Sequence, residues 1–440
     1  MNNQHKLLLL LLINLISFQL FAQQEYGVQT CEEPFQWSPS FLSNNNSPFP
    51  ISSELSGVVF TGRYRNYTNA DTWYPTWGED DNLYSPWTDG YIDNTQIYEP
   101  FRKYHPGHAC NSVNFMGRKA STAQAKISGD DPMNLTITDL GGSIEASPAP
   151  YGGRYPCGSL MYNGIWYYGT YALTNNKTCR CGGVGWTELG PFVGFRTSLD
   201  KGKTWTETEH SPAKSIFGEN PDSAKVKLGA PHFVDFGKNM EHSPDGKAYM
   251  VAHGSTDSSS CNSWIQGDNI YLLRVTPGIK TINNPDSYEF FAGKDENDNS
   301  IWTNEFSEIK PLLSWLGHLG CVTVTYNPAL KKYLMCITRG VDVSADKDRK
   351  GYTSLRFDSM ILGADELTGE WKMIQRLDQF GPVAYFLNIP SKFISDDGKK
   401  MWLCYSANFH DKNMYPNPPG SYYTLSLHEF ELEKTSVTIK

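Results

Sequence analysis

The sequence contains no basic block, and its net charge of −9 with a pI near 5.6 argues against a nucleic-acid surface. It shows no extended 3.6-residue hydrophobic periodicity, which argues against a helical architecture. Past residue 22 no run is long and apolar enough to span a bilayer. No linker divides the chain into domains. The nine cysteines are odd in number, so at least one thiol lies outside any disulfide or binds a metal.

The N-terminus carries the clearest signal. Lys6 precedes the apolar run "LLLLLLINLISFQLFA", which ends at Ala22. This is the pattern of a secretory signal peptide over residues 1–22, implying a secreted or periplasmic protein. Asn14, Ser17 and Gln19 break the run and weaken the reading as a membrane anchor. No cysteine follows Ala22, so a lipoprotein is not supported. Export makes disulfides the first expectation for the cysteines. Aromatics make up 13% of the chain, with 12 Trp and 25 Tyr, a content that suits β-sheet packing or sugar stacking.

Five segments share one form: an apolar strand, a tight polar turn, then a strand rich in Tyr or Trp. They span residues 72–90, 158–173, 231–255, 321–340 and 388–409. Their turns carry Asn-Gly, Asp-Gly or related pairs, which is hairpin chemistry. Third strands follow several of them, as in "GPFVGFRTS" and "NIYLLRV". Repeated antiparallel units of about four strands predict an all-β fold, a β-propeller. The stretches 109–140 and 290–316 would supply two further units, giving seven blades. A β-sandwich is the rival. Residues 23–54 read as an N-terminal extension and 55–440 as one propeller domain.

Aligning the repeats gathers the ends of the second strands on one face: Asp89, Tyr171, His253, Arg339 and Asn408. These are mostly polar and differ from blade to blade, which an architectural repeat does not require. The segment Ser198–Trp205 fits S-x-D-x-G-x-T-W, the Asp box, and reads as a structural turn. Arg196 precedes it, expected close to Tyr171; it either pairs with an acid on the blade or clamps a substrate carboxylate. His105 and His108 flank a Pro-Gly turn and are candidate general bases or solvated loop residues. Cys179, Cys181 and Cys261, with His253, form a candidate structural zinc site, with disulfides as the alternative.

The segments "DTWYPTWGEDDNLYSPWTDG", "GPFVGFRTSLDKGKTW" and "IPSKFISDDGKKMWLCYSANF" resemble secreted propeller polysaccharide lyases. These are the ulvan lyases of families 24 and 25 and the rhamnose–glucuronate lyases of family 42. The resemblance implies a seven-bladed propeller and β-elimination at rhamnose–glucuronate linkages, with ulvan as the polymer. It also implies a structural zinc in some members and no organic cofactor. Elimination needs a base for the C5 proton, an acid for the leaving oxygen and a cation to stabilise the enolate. Carried onto this chain, those roles fall to His108 (with His105 in reserve), Tyr171 (with Tyr168 in reserve) and Arg196. Arg339, His253 and Asn408 would line the acidic polysaccharide, and a monomer is expected. The alternatives are a rhamnose–glucuronate lyase or rhamnosidase acting on gum-arabic-type glycans, and a non-catalytic sugar-binding propeller.

Overall fold

The computed structural model describes residues 33–37, 47–92, 108–110, 121–141, 144–145, 155–173, 189–220, 225–256, 262–342, 355–381, 383–408 and 417–434. These residues form five antiparallel sheets, each a blade whose strands run from the axis outward. The fold is a β-propeller of five blades, not seven. The five hairpins recognised in the sequence are the inner halves of the five blades. The two additional stretches are outer strands: Ser121–Ser128 and Thr136–Asp139 belong to blade 1, and Tyr288–Lys294, Ser300–Thr303 and Pro311–Leu319 to blade 3. Outer strands carry the same alternation as inner ones, so periodicity alone counts them as new units.

Position in the blade explains composition. The inner strand Cys321–Asn327 of blade 4 is buried along nearly its whole length on both faces, and its middle, Val322–Tyr326, is an unbroken run of β-branched and aromatic residues. The outer strand Leu55–Tyr67 alternates buried and partly exposed positions along most of its length. That strand pairs with Leu425–Lys434 and closes the ring, with Phe60 opposite Phe430. The apolar core is divided among the blade interfaces. One cluster joins Tyr84 and Met161 with Trp166 and Tyr168 between blades 1 and 2; another joins Trp73 and Trp87 with Trp402 and Leu425 between blades 1 and 5.

Hairpin pairing fixes which residues share a face. In each hairpin the first strand enters beside the later half of the second: Asp71 pairs with Thr88, Tyr155 with Tyr171, His232 with Val251, Cys321 with Thr338 and Tyr385 with Ser406. This upper face therefore presents residues from all five blades around the axis. Gly90 permits the closest of these approaches, because a Cβ there would stand 1.9 Å from the Asn69 carbonyl oxygen.

Residues 1–22, expected from the sequence to be a signal peptide, lie outside the described residues. Among the described residues no helix is long and apolar enough to cross a membrane.

Candidate functional site

At the upper end of the axis stands a buried carboxyl that the repeat alignment did not single out. Asp71 ends the short inner strand Asn69–Asp71 of blade 1 and is 5% exposed. Its Oδ2 accepts a hydrogen bond from the Tyr385 hydroxyl at 2.6 Å and another from Tyr423 at 3.2 Å. Its Oδ1 accepts one from Thr72 Oγ1 at 2.8 Å. Asp89, at the end of the second strand of the same blade, faces it electrostatically, and the Tyr423 hydroxyl donates to the Asp89 carbonyl at 2.6 Å. Burial first, then the Asp89 charge, pushes the Asp71 carboxyl up to about 8, against the opposing pull of the three hydroxyl donors.

The backbone around this carboxyl is held in an unusual state. Thr72, Asp89, Val383, Phe386 and Asn408 all have φ between 50° and 63°. The left-handed region is costly for β-branched and bulky side chains, and such residues persist where surrounding structure enforces them. Here they gather at the entrances to blades 1 and 5, which supply Asp71, Tyr385 and Tyr423.

Aromatic rings wall the site. Tyr155 and Tyr171 stack at 5.3 Å, and Trp264 packs edge-on against Tyr385 at 5.5 Å. Burial raises the Tyr74, Tyr171, Tyr385 and Tyr423 hydroxyls well above the usual phenol range, so all four stay protonated. The Tyr171 hydroxyl makes no hydrogen bond with any described residue. Below Asp71 the inner strands line a small recess of about 40 Å³, with Tyr74, Ser159, His232, Thr323 and Asn388 among its walls. His232 rests 4.2 Å from Tyr74, and burial lowers its imidazole to about 3, so it is neutral.

The residues expected from the sequence fall at different places. Asp89, Tyr171, His253, Arg339 and Asn408 all lie at second-strand ends on the upper face. His253 is buried, bonded through Nε2 to the Ser263 carbonyl at 2.7 Å and lowered by burial to about 4. Arg339 faces Asp358 at 3.6 Å over blade 4. Asn408 donates to the Ser421 carbonyl at 2.8 Å, while its buried Oδ1 has no hydrogen-bond partner among the described residues.

Arg196 does not stand beside Tyr171. It pairs with Tyr168 in the register, and side chains alternate along a strand, so Arg196 and Tyr171 project from opposite faces of blade 2. Its guanidinium lies 4.4 Å over the Trp205 ring and 2.6 Å from Glu207. Tyr168 donates to the Ala123 carbonyl at 3.1 Å, toward blade 1. The Asp box behaves as a turn: Asp200 accepts from Thr204 N and Oγ1 at 2.8 and 2.6 Å, and Trp205 packs 5.2 Å from Trp166.

His105, Cys179, Cys181 and Cys261 lie outside the described residues; His108 begins the short strand His108–Cys110, opposite Ile92. Among the described residues no three His, Cys, Asp or Glu side chains converge as a metal site would require.

No family model matches the chain, and no curated protein matches it. Solved structures of similar fold include RS223 β-xylosidase, at 12% identity over 84% of this chain and 94% of that one, with a TM-score of 0.44. The catalytic domain of a Coprinopsis cinerea GH62 α-L-arabinofuranosidase matches at 9% identity over 84% and 92%, with a TM-score of 0.38. A glycosyl hydrolase from Bacteroides ovatus matches at 11% identity over 93% and 96%, with a TM-score of 0.39. The resemblance to ulvan lyases does not hold. That family implies seven blades where this ring has five. The assignment of ulvan elimination falls with it.

Proposed function

We propose that this protein hydrolyses glycosidic bonds, with the Asp71–Asp89 pair supplying the acid and the base and a neutral glycan as substrate. The observation that carries the reading is the buried Asp71 carboxyl, facing a second carboxyl at the point where all five blades meet. Two neighbouring carboxyls that resist double ionisation hold one proton between them near neutrality. Glycoside hydrolysis uses such a pair: one group protonates the leaving oxygen while the other acts on water or on the anomeric carbon. The Tyr385, Tyr423 and Thr72 hydroxyls orient Asp71, and the Tyr155–Tyr171 stack provides a flat apolar wall of the kind a sugar ring packs against. What faces Asp71 is a carboxyl and hydroxyls, a setting that repels a uronate and accepts an uncharged sugar.

The test uses the full chain on a panel of neutral aryl glycosides and soluble hemicelluloses, following aglycone release and new reducing ends. Cleavage that disappears in Asp71→Asn supports the reading. Binding without release, or release accompanied by the ultraviolet absorbance of an unsaturated uronate, overturns it.

A further inference from the structure

On the opposite, lower face the junction of blades 3 and 4 carries a groove of about 210 Å³. Strand direction sets its position. Tyr249 and Tyr333 open the second strands of blades 3 and 4, Arg274 nears the end of the third strand of blade 3, and Asp365–Thr368 form the outer turn of blade 4. Each of these is a lower end, whereas Asp71 and Asp89 stand at upper ends. The groove is therefore separate from the axial site.

Its chemistry is specific. Arg274 lies 3.9 Å over one face of the Trp302 ring and is bonded to Glu289 at 2.6 Å and to the Tyr249 hydroxyl at 3.0 Å. The cation is thus neutralised and serves to fix the indole. Trp302 and Tyr333 are both partly exposed, and neither the indole N–H nor the Tyr333 hydroxyl bonds to any described residue. Glu366 is exposed at the rim, and Ser300 and Thr368 hydrogen-bond each other at 2.7 Å beside it. The groove thus combines aromatic rings with two open donors and an acceptor.

We infer that this groove is a second sugar-binding site, taking a neutral oligosaccharide segment of a polymer. The ring faces meet the C–H faces of a pyranose, Trp302 Nε1–H and the Tyr333 hydroxyl bind its oxygens, and Glu366 accepts from its hydroxyls. The acidic rim disfavours a uronate. The choice of a glycan as ligand rests on the hydrolase reading; the site itself does not.

Affinity electrophoresis of the full chain through native gels containing arabinoxylan, galactan or mixed-linkage β-glucan tests this. At least one polymer should retard the wild type and Asp71→Asn equally. Trp302→Ala should weaken retention at least five-fold, and Tyr333→Phe and Glu366→Arg, which leave the packing intact, should each weaken it two-fold or more. Cleavage of a short aryl glycoside should be unchanged in all three, with folding confirmed by circular dichroism. Retention that survives all three substitutions, that is lost in Asp71→Asn, or that no polymer produces overturns the inference. If retention depends on the groove but no glycoside is cleaved, the hydrolase reading fails and the groove stands.

Discussion

The Tyr385 hydroxyl and the Asp71 carboxyl, 314 residues apart in sequence, meet at 2.6 Å where blade 5 joins blade 1. This bond lowers the affinity of Asp71 for its proton while burial and Asp89 raise it, so the tyrosine tunes the acid as well as holding it. Tyr385→Phe should therefore move the alkaline limb of the kcat profile upward, by about one pH unit, since one hydrogen bond contributes roughly 1 kcal/mol. An unmoved limb with an intact fold would show that Asp71 is not the titrating acid.

Asp71→Asn should lower kcat on a neutral aryl glycoside by about 10²–10⁴-fold, the usual contribution of a positioned acid or base. Circular dichroism should show the wild-type fold, because the amide nearly matches the carboxyl in shape. Activity within five-fold of wild type would remove Asp71 from the mechanism.

Stability carries the same signature. Asp71 is held protonated up to about 8, so its contribution is fully present below the ordinary carboxyl range near 4 and is lost as pH rises toward 8. His253 and His232 act in the other direction. Burial depresses them to about 4 and about 3, so the stability they lend is present above about 6.5 and fades as pH falls through those values. Urea midpoints should accordingly fall on both sides of a maximum near pH 5–7. In Asp71→Asn the alkaline decline should flatten while the acid decline persists, and a decline identical to wild type would count against a protonated Asp71.

Arg196→Ala should leave turnover within about two-fold of wild type and lower the thermal midpoint. It removes the contact over Trp205 and the pair with Glu207, together about 1 kcal/mol where partly exposed. Loss of turnover without loss of stability would restore the arginine to the substrate.

Gly202→Ala should cost about 1–3 kcal/mol in urea unfolding and leave KM unchanged. Gly202 has φ of 91°, and a Cβ there would approach the Trp166 ring to 2.8 Å. A neutral substitution would mean that the Asp-box turn is not held as tightly as its hydrogen bonds suggest.

The five inner hairpins were legible because each repeats one pattern of apolar strand, polar turn and aromatic strand. The count of blades was not, because Ser121–Ser128 and Tyr288–Lys294 alternate just as inner strands do and only pairing assigns them to existing sheets. Asp89 and Tyr171 emerged from aligning the second strands. Applying the same alignment to the starts of the first strands yields Asp71, Tyr155, His232, Cys321 and Tyr385, the other half of the upper face. Tyr423 left no local trace, since its role depends on a contact spanning 352 residues. Arg196 misled for a simpler reason. Proximity along neighbouring strands does not say which face a side chain leaves from, and a three-residue offset reverses it.

The pairing of Leu55–Tyr67 with Leu425–Lys434 has a consequence for biogenesis. Tyr423 and Thr424 lead into that closing strand, and they bond to Asp71 and Asp89 of the first blade and to Tyr67 and Thr68, where the outer strand of blade 5 passes into blade 1. A nascent chain can fold its first four blades in order, but the carboxyl pair acquires its full set of hydroxyl donors only when the final strand is delivered. Assembly of the acid is thereby tied to completion of synthesis, and a prematurely terminated chain would carry an open sheet edge and an unfinished site together.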